Sequence, residues 1–173
     1  PDLMCLGKGL TGGYLPMAAT LTSEQVFAAF LGQVEEGRTF YYGHTYTGNP
    51  LAAAVAIANL KVFDEEQVVA RVGPLAEQLR RGLSRFAAHP HVADIRQWGL
   101  MAGVELMEEV QRCQPFAPAA QVGARIAMAA RQAGVIVRPL GDVLVFMPPL
   151  SIDASEISLL LDAVYGATIE IVG

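Results

Sequence analysis

The spacing of apolar positions changes character several times along the 173-residue chain. Two short apolar runs, Leu3 to Leu6 and Met17 to Leu21, flank a glycine-rich stretch and predict buried strands bounded by turns. Thr22-Ser23 followed by Glu24 and an apolar-periodic stretch to Phe30 predicts a capped helix. Residues 32–42 are polar, then aromatic, and lack a period, which predicts a loop. Asn49-Pro50 opens a second helix running to Phe63, because proline fits the first helical turn. Its many alanines predict close packing against a neighbouring helix or sheet.

Further on, Val68, Val69, Val72, Leu75, Leu79, Leu83 and Phe86 recur at helical spacing, with Gly73-Pro74 as a candidate kink and Pro90 as the stop. Val92 to Arg96 and Leu100 to Leu106 read as strands joined by a turn at Trp98-Gly99. Residues 117–133 read as a helix closed by Gly134 in a left-handed cap. Val135 to Val137 and Val143 to Phe146 read as strands joined through Pro139-Leu140-Gly141-Asp142. Asp153 is a natural N-cap for a last helix extending to Gly166. Residues 1–65 thus read as pieces of a buried α/β sheet, and residues 66–173 as an α+β unit with helices on a small sheet.

Composition narrows the class. An apolar content of 53% against 17% charged residues places the chain with well-buried globular proteins rather than disordered ones. The net charge of -5 and the scattered arginines give no footprint for nucleic acid or an anionic membrane. No run approaches the roughly 18 apolar residues of a membrane helix. The two cysteines, Cys5 and Cys113, have neither disulfide-framework nor zinc-site spacing, so a reducing cytoplasm is expected. The chain starts Pro1-Asp2-Leu3, already inside an apparent strand, and is expected to begin in the middle of a longer protein.

The candidate chemistry starts at Gly7-Lys8-Gly9-Leu10-Thr11-Gly12, which formally satisfies G-x-G-x-x-G. A dinucleotide site needs a helix directly after the glycines, and a strand follows instead. A Walker loop needs its lysine after the glycines, and here the order is reversed. Two readings stay open. Glycines on both sides of Lys8 let another group approach its amine, which suits a nucleophile toward aldehydes; otherwise Lys8 is a surface residue in a strand-to-strand turn. The stretch "FYYGHTYTGNPLAAAVA" sets hydroxyls and backbone N–H groups ahead of a helix, as a phosphate site does and as ordinary helix entries also do. Tyr41, Tyr42, Tyr46 and Trp98 read as packing, His89 and His91 as solvated.

Four ordered motifs carry a resemblance. "PDLMCLGKGLTGGYLPMAATLTS", "GHTYTGNPLAAAVA", "DIRQWGLMAGVEL" and "GVIVRPLGDVLVFMPPLSI" together resemble the class III (subgroup II) aminotransferases of fold type I, and the last two resemble its biotin-synthesis branch. The resemblance implies an α/β fold made of the end of a large cofactor domain (residues 1–65) and a small C-terminal α+β domain (residues 66–173). It implies pyridoxal 5'-phosphate as cofactor and a homodimer with a shared active site. Lys8 matches the lysine that bonds to the cofactor and shuttles a proton. Thr45 matches the threonine that binds the cofactor phosphate of the neighbouring subunit, and Gly43 and His44 occupy pocket positions beside it. His44 stands where related enzymes often have proline. Arg138 matches an arginine that receives a substrate carboxylate, a task suited to a planar guanidinium fork; a structural ion pair is its other reading.

In that family the aspartate facing the pyridine nitrogen, the same-subunit phosphate loop and the ring-stacking aromatic all precede the lysine. A complete member is therefore expected to be roughly twice this length or more. The 173 residues alone are expected not to be a competent transaminase. A non-catalytic dimerisation module and another class III ω-amino-acid or ornithine-type enzyme are the competing expectations.

Overall fold

The computed structural model describes residues 1–173, which fall into two units, Pro1–Gln67 and Val68–Gly173. In the first unit, β1 (Leu3–Leu6) and β2 (Ala19–Thr22) form an antiparallel ribbon registered from Leu3 opposite Thr22 to Leu6 opposite Ala19. A single 3-10 turn, Lys8–Thr11, lies in the connection. Helix α1 (Glu24–Ala28) is capped by the Ser23 hydroxyl, which accepts from the Val26 N–H. Helix α2 (Pro50–Glu65) is capped by the Asn49 side chain, which accepts from the Leu51 N–H.

The two apolar runs do form strands, but they are not buried: Leu3 is 57% exposed and Met4 46%. Period and composition identify a strand, whereas burial requires a second layer, and a two-stranded ribbon supplies none. In this unit only Thr11, Ala52 and Ala56 are buried. The small residues of α2 let the Lys8–Thr11 turn pack against the helix, a 3-10 turn rather than the expected helix or sheet.

The second unit is a four-stranded antiparallel sheet in the order β3-β4-β6-β5, formed by β3 (Val92–Trp98), β4 (Met101–Leu106), β5 (Arg138–Leu140) and β6 (Val143–Phe146). Alternate residues Ala102, Val104, Leu106, Leu144 and Phe146 point into a core shared with α3 (Val68–Leu83), α4 (Val122–Gln132) and α5 (Ala154–Val172). Phe86, in the 3-10 turn Ser84–Ala88, meets Phe146 and Tyr165 edge-on at ring separations of 6.0 and 5.0 Å. Helix α3 continues through Pro74. A Cβ on the residue before a proline disfavours helical backbone, and Gly73 has none.

Several boundaries differ from the sequence expectation. Helix α4 begins at Val122 rather than residue 117, because Pro118 opens a 3-10 turn and Gln121 adopts a left-handed φ of 47°. The strand expected at residues 135–137 lies at Arg138–Leu140, on the sheet edge, where Pro139 need not donate to the ladder. Helix α5 runs past Gly166 to Val172. Trp98 is 84% exposed rather than packed, since β3 includes it and the turn falls at Gly99 and Leu100. Both cysteines are free, and no helix is long and apolar enough to cross a membrane.

Candidate active site

The lysine turn is defined by its backbone before any side chain is considered. The Leu10 N–H donates to Gly7 O (3.1 Å) and the Gly12 N–H to Gly9 O (3.3 Å). Gly12 and Gly13 leave the turn at φ of 60° and 84°, which accounts for the glycine pair. Lys8 itself has a φ of 47°, in the left-handed region that a side chain occupies at a cost of about 1–2 kcal/mol. Its side chain is exposed and enters no ion pair.

Two side chains hold this turn. The Thr11 hydroxyl, fully buried, donates to Leu15 O at 2.6 Å. The Asn59 carboxamide of α2 donates to the consecutive carbonyls of Gly9 (2.8 Å) and Leu10 (3.2 Å). A Cβ on Gly12 would lie 2.9 Å from Asn59 Oδ1, so the same carboxamide also fills the space against that glycine. Asn59 was not among the candidates read from the sequence. Its signal was there: Ala52, Ala56 and Asn59 share one helical face, which puts an amide on the face that the small residues leave open.

At the entry of α2, the donors are divided. His44 organises the turn: its Nδ1 accepts from the Tyr46 N–H at 3.2 Å and its carbonyl from the Thr47 N–H at 2.9 Å. The Leu51 N–H is taken by Asn49. The hydroxyls of Thr45 and Thr47 and the N–H groups of Thr45 and Gly48 make no hydrogen bond within the chain. The free N–H set is therefore smaller than a bare helix entry suggests, and the Thr45 hydroxyl remains available. Gly43 has open space around its Cα. An exposed amine suits an aldehyde, and free hydroxyl and amide donors suit a phosphate monoester, so each set of residues fits one end of pyridoxal phosphate.

In the second unit, Arg138 opens β5, is exposed and makes no ion pair. The turn that follows it is anchored by Asp142, whose Oδ1 accepts from the Gly123 N–H of α4 at 2.9 Å. His89, expected to be solvated, is 7% exposed; its Nδ1 accepts from the His91 N–H at 3.3 Å and its Nε2 is buried without a partner. Burial, with a contribution from His91, pushes the His89 imidazole below its ordinary value. Pro90 ends the helical segment there, and the chain folds back over the first of the two histidines. Tyr41, Tyr42 and Tyr46 are exposed, although Tyr42 stacks on Phe40 with ring centres 5.9 Å apart and Tyr46 lies tilted against His44 at 6.0 Å.

Comparison with known proteins adds a family. A family model described as aminotransferase class-III matches residues 1–167. An adenosylmethionine-8-amino-7-oxononanoate aminotransferase of Aquifex aeolicus is 48% identical over 171 residues, which is 99% of this chain and 38% of that protein. The crystal structure of the enzyme of the same name from Methanocaldococcus jannaschii superposes with a TM-score of 0.93 at 41% identity, covering 100% of this chain and 40% of that one. A thermostable (S)-enantioselective omega-transaminase from Thermomicrobium roseum superposes at 0.91 with 31% identity, covering 100% and 38% respectively. The chain spans about two fifths of the length of each.

Proposed function

Because the chain belongs to the class-III aminotransferase family and has the α/β fold of the fold-type I transferases, we propose that it is the lysine-bearing, C-terminal part of a pyridoxal-phosphate-dependent transaminase. The assigned reaction is transfer of an amino group to the ketone of 8-amino-7-oxononanoate, giving 7,8-diaminononanoate in biotin synthesis. Adenosylmethionine or lysine is the amino donor, and the activity is assigned to the full-length protein. The observation that carries the reading is Lys8: an exposed, unpaired amine on a residue held in left-handed backbone between two glycines.

The residues then divide the work. Lys8 would hold the cofactor covalently and carry the proton lost by the carbon bearing the donor's amine. Thr45 would hold the cofactor phosphate through its free hydroxyl, in the neighbouring subunit of a homodimer. Gly43 and His44 would line the substrate pocket, with His44 keeping its turn closed through the Tyr46 N–H. Arg138, which makes no ion pair, would receive the substrate carboxylate. Residues 1–65 would belong to the large cofactor domain and residues 66–173 to the small domain. When bound, the cofactor supplies an electron sink for the carbanion. The two free thiols fit a cytoplasmic protein.

The test is incubation of the full-length protein with pyridoxal phosphate, followed by borohydride reduction and peptide mass mapping. Addition of the cofactor at Lys8, with none in Lys8→Ala, is expected; cofactor retained equally by Lys8→Ala sinks the assignment. The likeness to an omega-transaminase supports a second reading, an ω-amino-acid or ornithine-type enzyme. A donor and acceptor panel separates the two: turnover of ω-amino acids without turnover of 8-amino-7-oxononanoate selects the second.

A further inference from the structure

The geometry points to Asn59 as a positioning residue for the amine of Lys8, a role that rests on the reading of Lys8 as the cofactor lysine. Three observations combine. The Asn59 carboxamide donates to the carbonyls of Gly9 and Leu10, the two peptide groups directly following the lysine. The backbone of Lys8 is left-handed, a conformation that relaxes unless its surroundings hold it. The Gly12 Cα approaches Asn59 Oδ1 so closely that a side chain there would collide with it. The turn is thus seated on α2 by one side chain, through both its donors and its shape.

The seat is on the helix and not in the turn itself. The i to i+3 bonds of the turn fix its internal shape, and the Thr11 hydroxyl fixes its exit toward Leu15. Neither ties the turn to another element. Asn59 supplies that tie, because the helical face carrying Ala52 and Ala56 is small enough for the backbone to come within hydrogen-bond reach. Without the carboxamide, Leu10 O would have only water to accept from, and Gly9 O would keep only the Gly12 N–H from within the turn. The turn could then drift, taking the direction of the Lys8 side chain with it.

The test uses the full-length protein and three variants: Asn59→Leu, which keeps shape without donors; Asn59→Asp, which sets a carboxylate against two carbonyls; and Asn59→Ala. The readouts are the rate of borohydride-trapped pyridoxal phosphate at Lys8, the pH midpoint of the cofactor's visible absorbance, and hydrogen exchange at the Gly12 amide. A positioning role predicts trapping slowed about tenfold or more in Asn59→Leu and further in Asn59→Asp. It also predicts a displaced absorbance midpoint and faster Gly12 exchange, with the thermal midpoint nearly unchanged. Wild-type trapping rates and midpoint in these variants overturn the proposal, even if their melting temperature falls. Failure of all three to fold assigns Asn59 to folding and also overturns it. Trapping absent from Lys8 in the unmodified protein instead overturns the Lys8 reading, and the proposal with it.

Discussion

Adding one methyl group at two glycines of the second unit should shift stability in opposite directions. At Gly123, in the first turn of α4, a Cβ would run into the carbonyl oxygen of Gly141 and come within 3.1 Å of Pro139 Cβ. The obstacle is backbone of the β5–β6 turn, which cannot swing aside as a side-chain end would. Overpacking of this kind costs about 1–3 kcal/mol. Pushing the turn away also stretches the bond from the Gly123 N–H to Asp142, a charged-acceptor bond of about 1.5–3 kcal/mol. The gain in helix propensity on replacing glycine by alanine, about 1 kcal/mol at most, offsets part of this. A net loss of about 2–4 kcal/mol follows, and for a unit of this size the melting temperature should fall by about 10 °C or more. At Gly166, exposed within α5, an added Cβ meets nothing within 4 Å, so Gly166→Ala should stabilise by about 0.5–1 kcal/mol. Thermal melts followed by circular dichroism read both. If Gly123→Ala melts at or above the unsubstituted protein, or both variants move the same way, the packing argument is wrong.

Two other outcomes are expected. Since burial depresses the His89 pKa, the unfolded chain takes up the proton first as pH falls below about 6.5. The His89 contribution is complete above that value and is lost as pH falls through the folded value. Urea midpoints from pH 8 to 5 should therefore decline on the acid side, and His89→Gln should flatten that part of the profile. Arg138→Gln should raise KM for a carboxylate-bearing substrate about tenfold or more with a smaller change in kcat. An equal loss in both, or none, would remove the carboxylate role.

Capping was written locally and could be read locally. Ser23, Asn49 and Asp153 each accept from the N–H groups two or three residues on, and each was visible as a polar residue ahead of an apolar period. The core of the second unit was equally legible, because Ala102, Val104 and Leu106 alternate with the outward Met101 and Glu105. What failed depended on partners distant in sequence. Leu3 and Met4 have the composition of a buried strand, but composition does not provide the covering layer. The edge strand begins at Arg138 because its register is fixed by Val145 across the ladder, not by the valines just before it. His89 is buried by how the chain returns after Pro90, which no local period encodes. In the candidate site, glycines and hydroxyls left two readings open at Lys8 and Thr45, and the motif resemblance chose between them. Asn59 lies on the small-residue face of α2, but the turn it holds is about fifty residues away and only contact pairs the two.

The enclosure of the second unit's core also has a consequence in time. Phe86, Ile126, Leu144 and Val164 are all fully enclosed, so no small local opening brings water to them. That makes the segment around them a clock: the time its amide protons take to exchange with solvent reads the opening of the whole second unit.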